Sequence, residues 1–187
     1  DLEIRGAGSL LGAEQSGQLS SIGFDLFAGM ISEAVAAARG EESVSFPDIH
    51  IDLPDPAFIP DEYIEDVFER ITLYRRIAGL ATQAGIDKLF GQVEAMHGAA
   101  PIQVQNLFMM TRIKVMCADI HAEGISISGA FIQVKMPKPD ENVLAQMRSI
   151  GALYDDGRRM FRWKVPYGES VVNAARTLVG AILFDSK

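Results

Sequence analysis

The stretch ISISGAFIQVKM, residues 125 to 136, decides the fold. Upstream of it, apolar residues recur three and four apart. Here Ile125 and Ile127 alternate with serines, and Ile132 and Val134 alternate with Gln133 and Lys135. Gly129 lies between the two runs, so the pattern predicts a β-hairpin. Downstream, Val143, Leu144, Met147 and Ile150 predict a short helix. RRMFRWKVP (158 to 166) then alternates, with Phe161, Trp163 and Val165 on one face and Arg162 and Lys164 on the other. Val171, Val172, Ala175, Leu178, Val179, Ile182 and Leu183 predict a last helix.

Upstream of the hairpin the pattern is helical. Pro101 suits the first turn of a long helix ending near His121, where Val104, Leu107, Phe108, Met109, Met110, Ile113, Val115 and Met116 are apolar on more than one side. We expect it to be the most buried helix, with its methionines as core filling. Before it, Ile86, Leu89, Phe90 and Val93 predict a shorter helix, interrupted by GAAP at 98 to 101. An earlier helix is predicted from Asp61, with Ile64, Val67, Phe68, Ile71, Tyr74 and Ile77 on its buried face. Residues 41–57 carry prolines and form a linker with HIDL (50 to 53) as a candidate edge strand. Residues 1–40 contain one amphipathic helix, with Phe24, Phe27, Met30 and Ile31 on its apolar face. Helices first, then strands mixed with helices, predict an α+β domain over 58–187, with several helices packed on a small, mainly antiparallel sheet.

Composition limits the function. Of 187 residues, 48% are hydrophobic and 22% charged, which is globular rather than disordered. A formal net charge of −8 repels nucleic acid and anionic membranes, so DNA binding would need a local basic patch. Cys117 is the sole cysteine, which excludes an internal disulfide and fits a reducing cytoplasm. No apolar run is long enough for a membrane helix. The opening at Asp1, inside a patterned stretch, suggests a piece of a longer protein. His50, His97 and His121 lack metal-ligand spacing, so no metal site is expected.

DLEIRGAGSLLG, residues 1 to 12, places Gly6, Gly8 and Gly12 where a dinucleotide loop would need them. The context is wrong for that chemistry. A very short, charged strand precedes the glycines, their spacing is one residue too long, and Asp25 opens a helix rather than ending a strand. No P-loop is present either. A dinucleotide-binding enzyme is therefore the weaker alternative.

The same residues, followed by AEQSG and IGFDLF, resemble the TRG (translocation in RecG) motif of the transcription-repair coupling factors, the Mfd proteins. RecG helicases share part of that run, so a RecG-like terminus is a second alternative. IPDEYIEDVFERITLYRRIA, residues 59 to 78, is similar to the C-terminal domain signature of the coupling factors. The resemblance implies a DNA-translocation element at Arg5, Gly6, Gly8, Gly12 and Gln15, followed by a regulatory domain. It implies that this chain has no catalytic residues and no cofactor, since ATP and Mg belong to the RecA-like motor domains. The implied partners are those motor domains, an N-terminal UvrA-binding domain of the same protein, and, for the parent, RNA polymerase, UvrA and duplex DNA. The domain would hold the motor in a resting state. Where the family commonly has two acids before Gly98, this chain has Gln92 and Ala95, with Glu94 between them. These three are candidate interdomain contacts. So is the basic run Arg158, Arg159, Arg162 and Lys164, which has two readings: charge protecting an edge strand, or a surface for an acidic partner domain.

Overall fold

The computed structural model describes residues 49–183. The predicted helix over 24 to 38 and the glycine segment lie outside that range. The order of elements is β1 (His50–Asp52), α1 (Val67–Ala78), α2 (Gln83–His97), α3 (Ile102–Asp119), β2 (Gly124–Ser128), β3 (Phe131–Lys135), α4 (Glu141–Ser149), β4 (Leu153–Asp155), β5 (Met160–Lys164) and α5 (Val171–Leu183). The strands form one sheet in the order β1-β2-β3-β5-β4. All its pairings are antiparallel except β1 with β2. The fold is α+β, as the change of period predicts.

The hairpin forms where the pattern places it. Ser128 pairs with Phe131, leaving Gly129 and Ala130 as a two-residue loop. Gly129 has φ 60° while Ala130 does not enter the positive region, the arrangement of a turn with glycine first. Register then sets the faces. Ile125, Val134, Phe161 and Tyr154 make one row across four strands, and Ile132 pairs with Trp163. This face packs on Met110, Ile113 and Cys117 of α3, on α5, and on Met147 of α4. Gly124 must lack a Cβ, because one built there would meet the His50 carbonyl oxygen at 2.7 Å.

A second core lies on the other side of α3. Val104, Leu107, Phe108 and Val115 pack with Leu73 and Ile77 of α1 and with Ile86, Leu89 and Val93 of α2. Phe90 meets Phe108 edge-on at 5.0 Å between ring centroids. So α3 is apolar on two sides because it serves two cores. The connection after β1 is stitched to both. Asn106 Nδ2 donates to the Pro56 carbonyl at 2.9 Å, and the Asp55 carboxylate accepts from Val172 N–H at 3.0 Å, in the first turn of α5.

Three expectations need correction. The first described helix does not open at Asp61. A turn comes first, with Tyr63 and Ile64 N–H both donating to the Pro60 carbonyl. Asp66 is the cap, its carboxylate accepting from Glu69 N–H at 2.8 Å. Val67 and Phe68, expected on the buried face, are exposed as a consequence, Phe68 by 80%. Finally, β5 is not an edge strand. Leu153–Asp155 adds β4 outside its first three residues, so edge protection does not explain Arg162, while Lys164 lies past the last pair with β4.

Candidate functional site

The α1–α2 hairpin brings the start of α1 beside the end of α2. Tyr63 Oη donates to the Gly98 carbonyl at 2.8 Å, and His97 Nε2 lies 3.2 Å from Glu69 Oε1. The Tyr63 and His97 rings are 5.8 Å apart. Burial, and secondarily the Glu94 carboxylate, raises the Tyr63 phenol above its ordinary value. Glu94 Oε1 accepts from Ala100 N–H at 3.2 Å, and Gln105 Nε2 donates to the Ala100 carbonyl at 2.8 Å. The loop between α2 and α3 is thus held at three points.

Of the three candidates here, Gln92 accepts from Arg76 Nη2 at 2.6 Å and Glu94 holds the loop. Both serve the domain itself. Ala95 is exposed and has no polar group to offer. Beside it in sequence, Met96 is 69% exposed, and Ile102 at the start of α3 is 59% exposed. With Phe68 they put three large apolar side chains at one end of the helical layer. Sequence reasoning missed them, since it assigned Phe68 to the core and stopped at the polar positions. The available signal was Asp66, which as a cap turns Val67 and Phe68 into the first helical turn.

The basic run lies in the other layer, on the sheet. Arg158 and Arg159 occupy the β4–β5 turn, with Arg158 Nε 3.9 Å from Asp155 Oδ2. Arg162 and Lys164 stand on the sheet face opposite the core. Arg5, Gly6, Gly8, Gly12 and Gln15 lie outside the described residues. Among those described, no three His, Cys, Asp or Glu side chains group to hold a metal ion, and no helix is long and apolar enough to cross a membrane. Cys117 is buried, and burial pushes its thiol up to about 12.

Fold and site together define an α+β domain whose exposed chemistry includes large apolar side chains at one end of the helical layer and the cations Arg162 and Lys164 on the sheet. The comparisons then identify the family. The TRCF domain model matches residues 53–147, and the chain belongs to that family. It is 37% identical over 127 residues to the transcription-repair-coupling factor of Myxococcus xanthus, covering 68% of this chain and 11% of that protein. It is 33% identical over 174 residues to the factor of Staphylococcus epidermidis strain RP62A, covering 91% of this chain and 14% of the relative. The Haemophilus influenzae factor is 36% identical over 140 residues, 71% of this chain and 12% of the relative. The chain thus spans a small part of these relatives. A crystal structure of the C-terminal domain of transcription-repair coupling factor superposes with a TM-score of 0.64 at 16% identity, over 73% of this chain and 92% of that one. The family match favours the coupling factors over the RecG-like alternative.

Proposed function

We propose that this chain is the regulatory C-terminal module of an ATP-driven duplex-DNA translocase that couples removal of stalled RNA polymerase to nucleotide excision repair in the cytoplasm. It performs no chemistry and needs no cofactor of its own. Its binding free energy for the N-terminal UvrA-binding domain of the same protein favours a closed, weakly active motor, and a coupling of about 1–3 kcal/mol is enough to change activity several-fold. Residues 1–40, with Arg5 and Gln15, join this module to the RecA-like motor, and the stretch from residue 41 to the start of β1 links the two. UvrA, polymerase and DNA engage the parent.

The observation that carries this reading is the exposed set Phe68, Met96 and Ile102 at the end of the helical layer. Large apolar side chains left in water at a rigidly held end suit a partner surface. Where the family commonly has two acids this chain has Gln92 and Ala95, and Glu94 is engaged within the domain. The inhibitory contact therefore leans on apolar burial more than on charge. Calorimetric titration of the separately produced N-terminal domain into this chain tests it. Met96→Glu should weaken binding about tenfold or more while leaving the chain folded. Unchanged affinity in both Met96→Glu and Phe68→Glu would defeat the reading.

A further inference from the structure

The face of the sheet opposite the core is left to solvent among the described residues, and its composition is uneven. Register places Ser126, Gln133, Arg162 and Leu153 in one row across it, and Ser128, Phe131 and Lys164 in the next. Arg162 is half-buried, with its guanidinium over the Phe131 ring at 4.8 Å. Its Nε is closed off from solvent and has no hydrogen-bond partner. Lys164 is exposed and makes no ion pair with a described residue, whereas Lys135 is already joined to Glu123 at 2.9 Å. One row from Arg162, on the side away from Lys164, is a hollow of about 370 Å³, lined by Gly124, Ser126, Gln133 and Met160 and bordered by the Glu123–Lys135 ion pair.

We propose that this face docks an extended segment of a partner protein, with a carboxylate on Arg162 and an apolar side chain two residues away in the hollow. The spacing follows from the sheet. Met160, which lines the hollow, and Arg162 are two residues apart on one face of β5, about 7 Å. An extended segment repeats its own faces at that same interval. The stack on Phe131 preorganises a planar fork, and a slight rotation gives the unsatisfied Nε–H an acceptor as well. Loss of water around the guanidinium strengthens its attraction for an incoming carboxylate. A nucleic acid fits less well. Its charge repeats along the whole backbone and would meet Asp52, Asp155 and Asp156 as well, while Lys135 and Arg158 are already joined to Glu123 and Asp155. One carboxylate meets only the two cations. Arg158 and Arg159, in the turn beyond, take no part.

This inference narrows the basic surface of the proposed regulatory module to two residues, and it uses none of the side chains on α2. Failure of one contact therefore leaves the other standing. The test is a resonance titration of the ¹⁵N-labelled 187-residue chain with the capped peptide Leu-Thr-Glu-Thr-Leu. Saturable shifts should be confined to the amides of Gln133, Met160, Arg162 and Lys164, with the Arg162 Nε–H moving downfield. Replacing the peptide's glutamate by glutamine should weaken binding about tenfold, and Arg162→Gln in the protein should do the same. Lys164→Gln lies at an exposed site and guards against a folding defect at Arg162; about threefold weaker binding with an otherwise unchanged spectrum is expected. Absence of saturable shifts on this face overturns the proposal. So does equal binding of the glutamine peptide, preferential binding of oligothymidylate, or concentration-dependent shifts without peptide, which would make the occupant a second copy.

Discussion

On one side of α3, Val104, Leu107, Phe108 and Val115 close a core with α1 and α2; on the other, Met110, Ile113 and Cys117 close one with the sheet and α5. The two regions finish their outer surfaces differently. The sheet alternates by pleat, so every core residue is followed by one on the outer face, which carries serine, glutamine, lysine and arginine together with Phe131 and Leu153. The helical layer has no such strict alternation. Its end leaves Phe68, Met96 and Ile102 in solvent. A strand period fixes which residues face outward, while a helix end can present apolar side chains without disturbing the buried stripe. Exposed side chains divide along that line, apolar at the helix ends and mixed on the sheet, where Arg162 and Lys164 stand beside Phe131 and Leu153.

The largest effect asks whether the two cores are one cooperative unit. Ile86 on α2 and Phe161 on β5 are both fully buried, one in each core. Ile86→Ala should cost about 2–5 kcal/mol and Phe161→Ala about 3–5 kcal/mol. Because α3 belongs to both cores, each variant should lower a single transition. Trp163, the only tryptophan, reports the sheet side by fluorescence, and far-ultraviolet circular dichroism reports the helices. Coincident urea curves are expected for both variants. Separate midpoints in Ile86→Ala would break the comparison into two independently folding layers.

How much of this was legible in the sequence depends on the range of the interactions. The hairpin, α3 and α5 follow from local periodicity, because each has its own turn or apolar pattern. The parallel pairing of β1 is not local. Three residues, His50–Asp52, find β2 across the whole helical layer, and nothing in HIDL specifies a parallel neighbour. β4 is also three residues, too few to show a period, although the Asp156-Gly157 turn after it was a usable hairpin signal. Phe68 was misplaced because a 3.6-residue period cannot tell where a helix starts; the carboxylate of Asp66 decides that. The candidate site was legible only as positions. That Glu94 and Gln92 are occupied within the domain depends on Ala100 and Arg76, which only the fold brings to them.

A middle-sized effect compares one titratable group from each core. Burial raises Tyr74, beside the helical core, from 10.0 to about 12, with its Oη accepting from Ile59 N–H and Arg70 acting the other way. Burial raises Cys117, in the sheet core, from 9.0 to about 12. In both cases the folded state prefers the neutral form. Their contribution is complete below the unfolded values and is lost as pH climbs to about 12, starting near 9 for the thiol and near 10 for the phenol. Each ionising group should contribute a slope of up to about 1.4 kcal/mol per pH unit within its window. Urea midpoints measured at successive alkaline pH values should therefore fall from pH 9 onward. In Cys117→Ala the decline should begin a unit later, near the tyrosine value. An unchanged onset would mean that the thiol is not what the sheet core holds neutral.

The smallest effect lies where α3 hands the chain to the sheet. After Asp119 the helix ends with His121 N–H donating to the Ala118 carbonyl and Ala122 N–H to that of Cys117. α4 ends in the same way, with Gly151 N–H to Arg148 and Ala152 N–H to Met147. Both are Schellman closures, and in both the alanine that follows is buried. They differ at the left-handed position, which is Gly151 at φ 82° after α4 but His121 at φ 56° after α3. A non-glycine residue there costs about 1–2 kcal/mol, part of which a glycine gives back through its larger unfolded entropy. The His121 side chain is exposed. His121→Gly should therefore stabilise the domain by about 0.5–1 kcal/mol, read as a higher urea midpoint at an unchanged slope. Because α3 is shared, the gain should appear equally in Trp163 fluorescence and in helical dichroism. A loss of stability instead would show that the imidazole holds the α3–β2 junction through a contact worth more than the backbone strain.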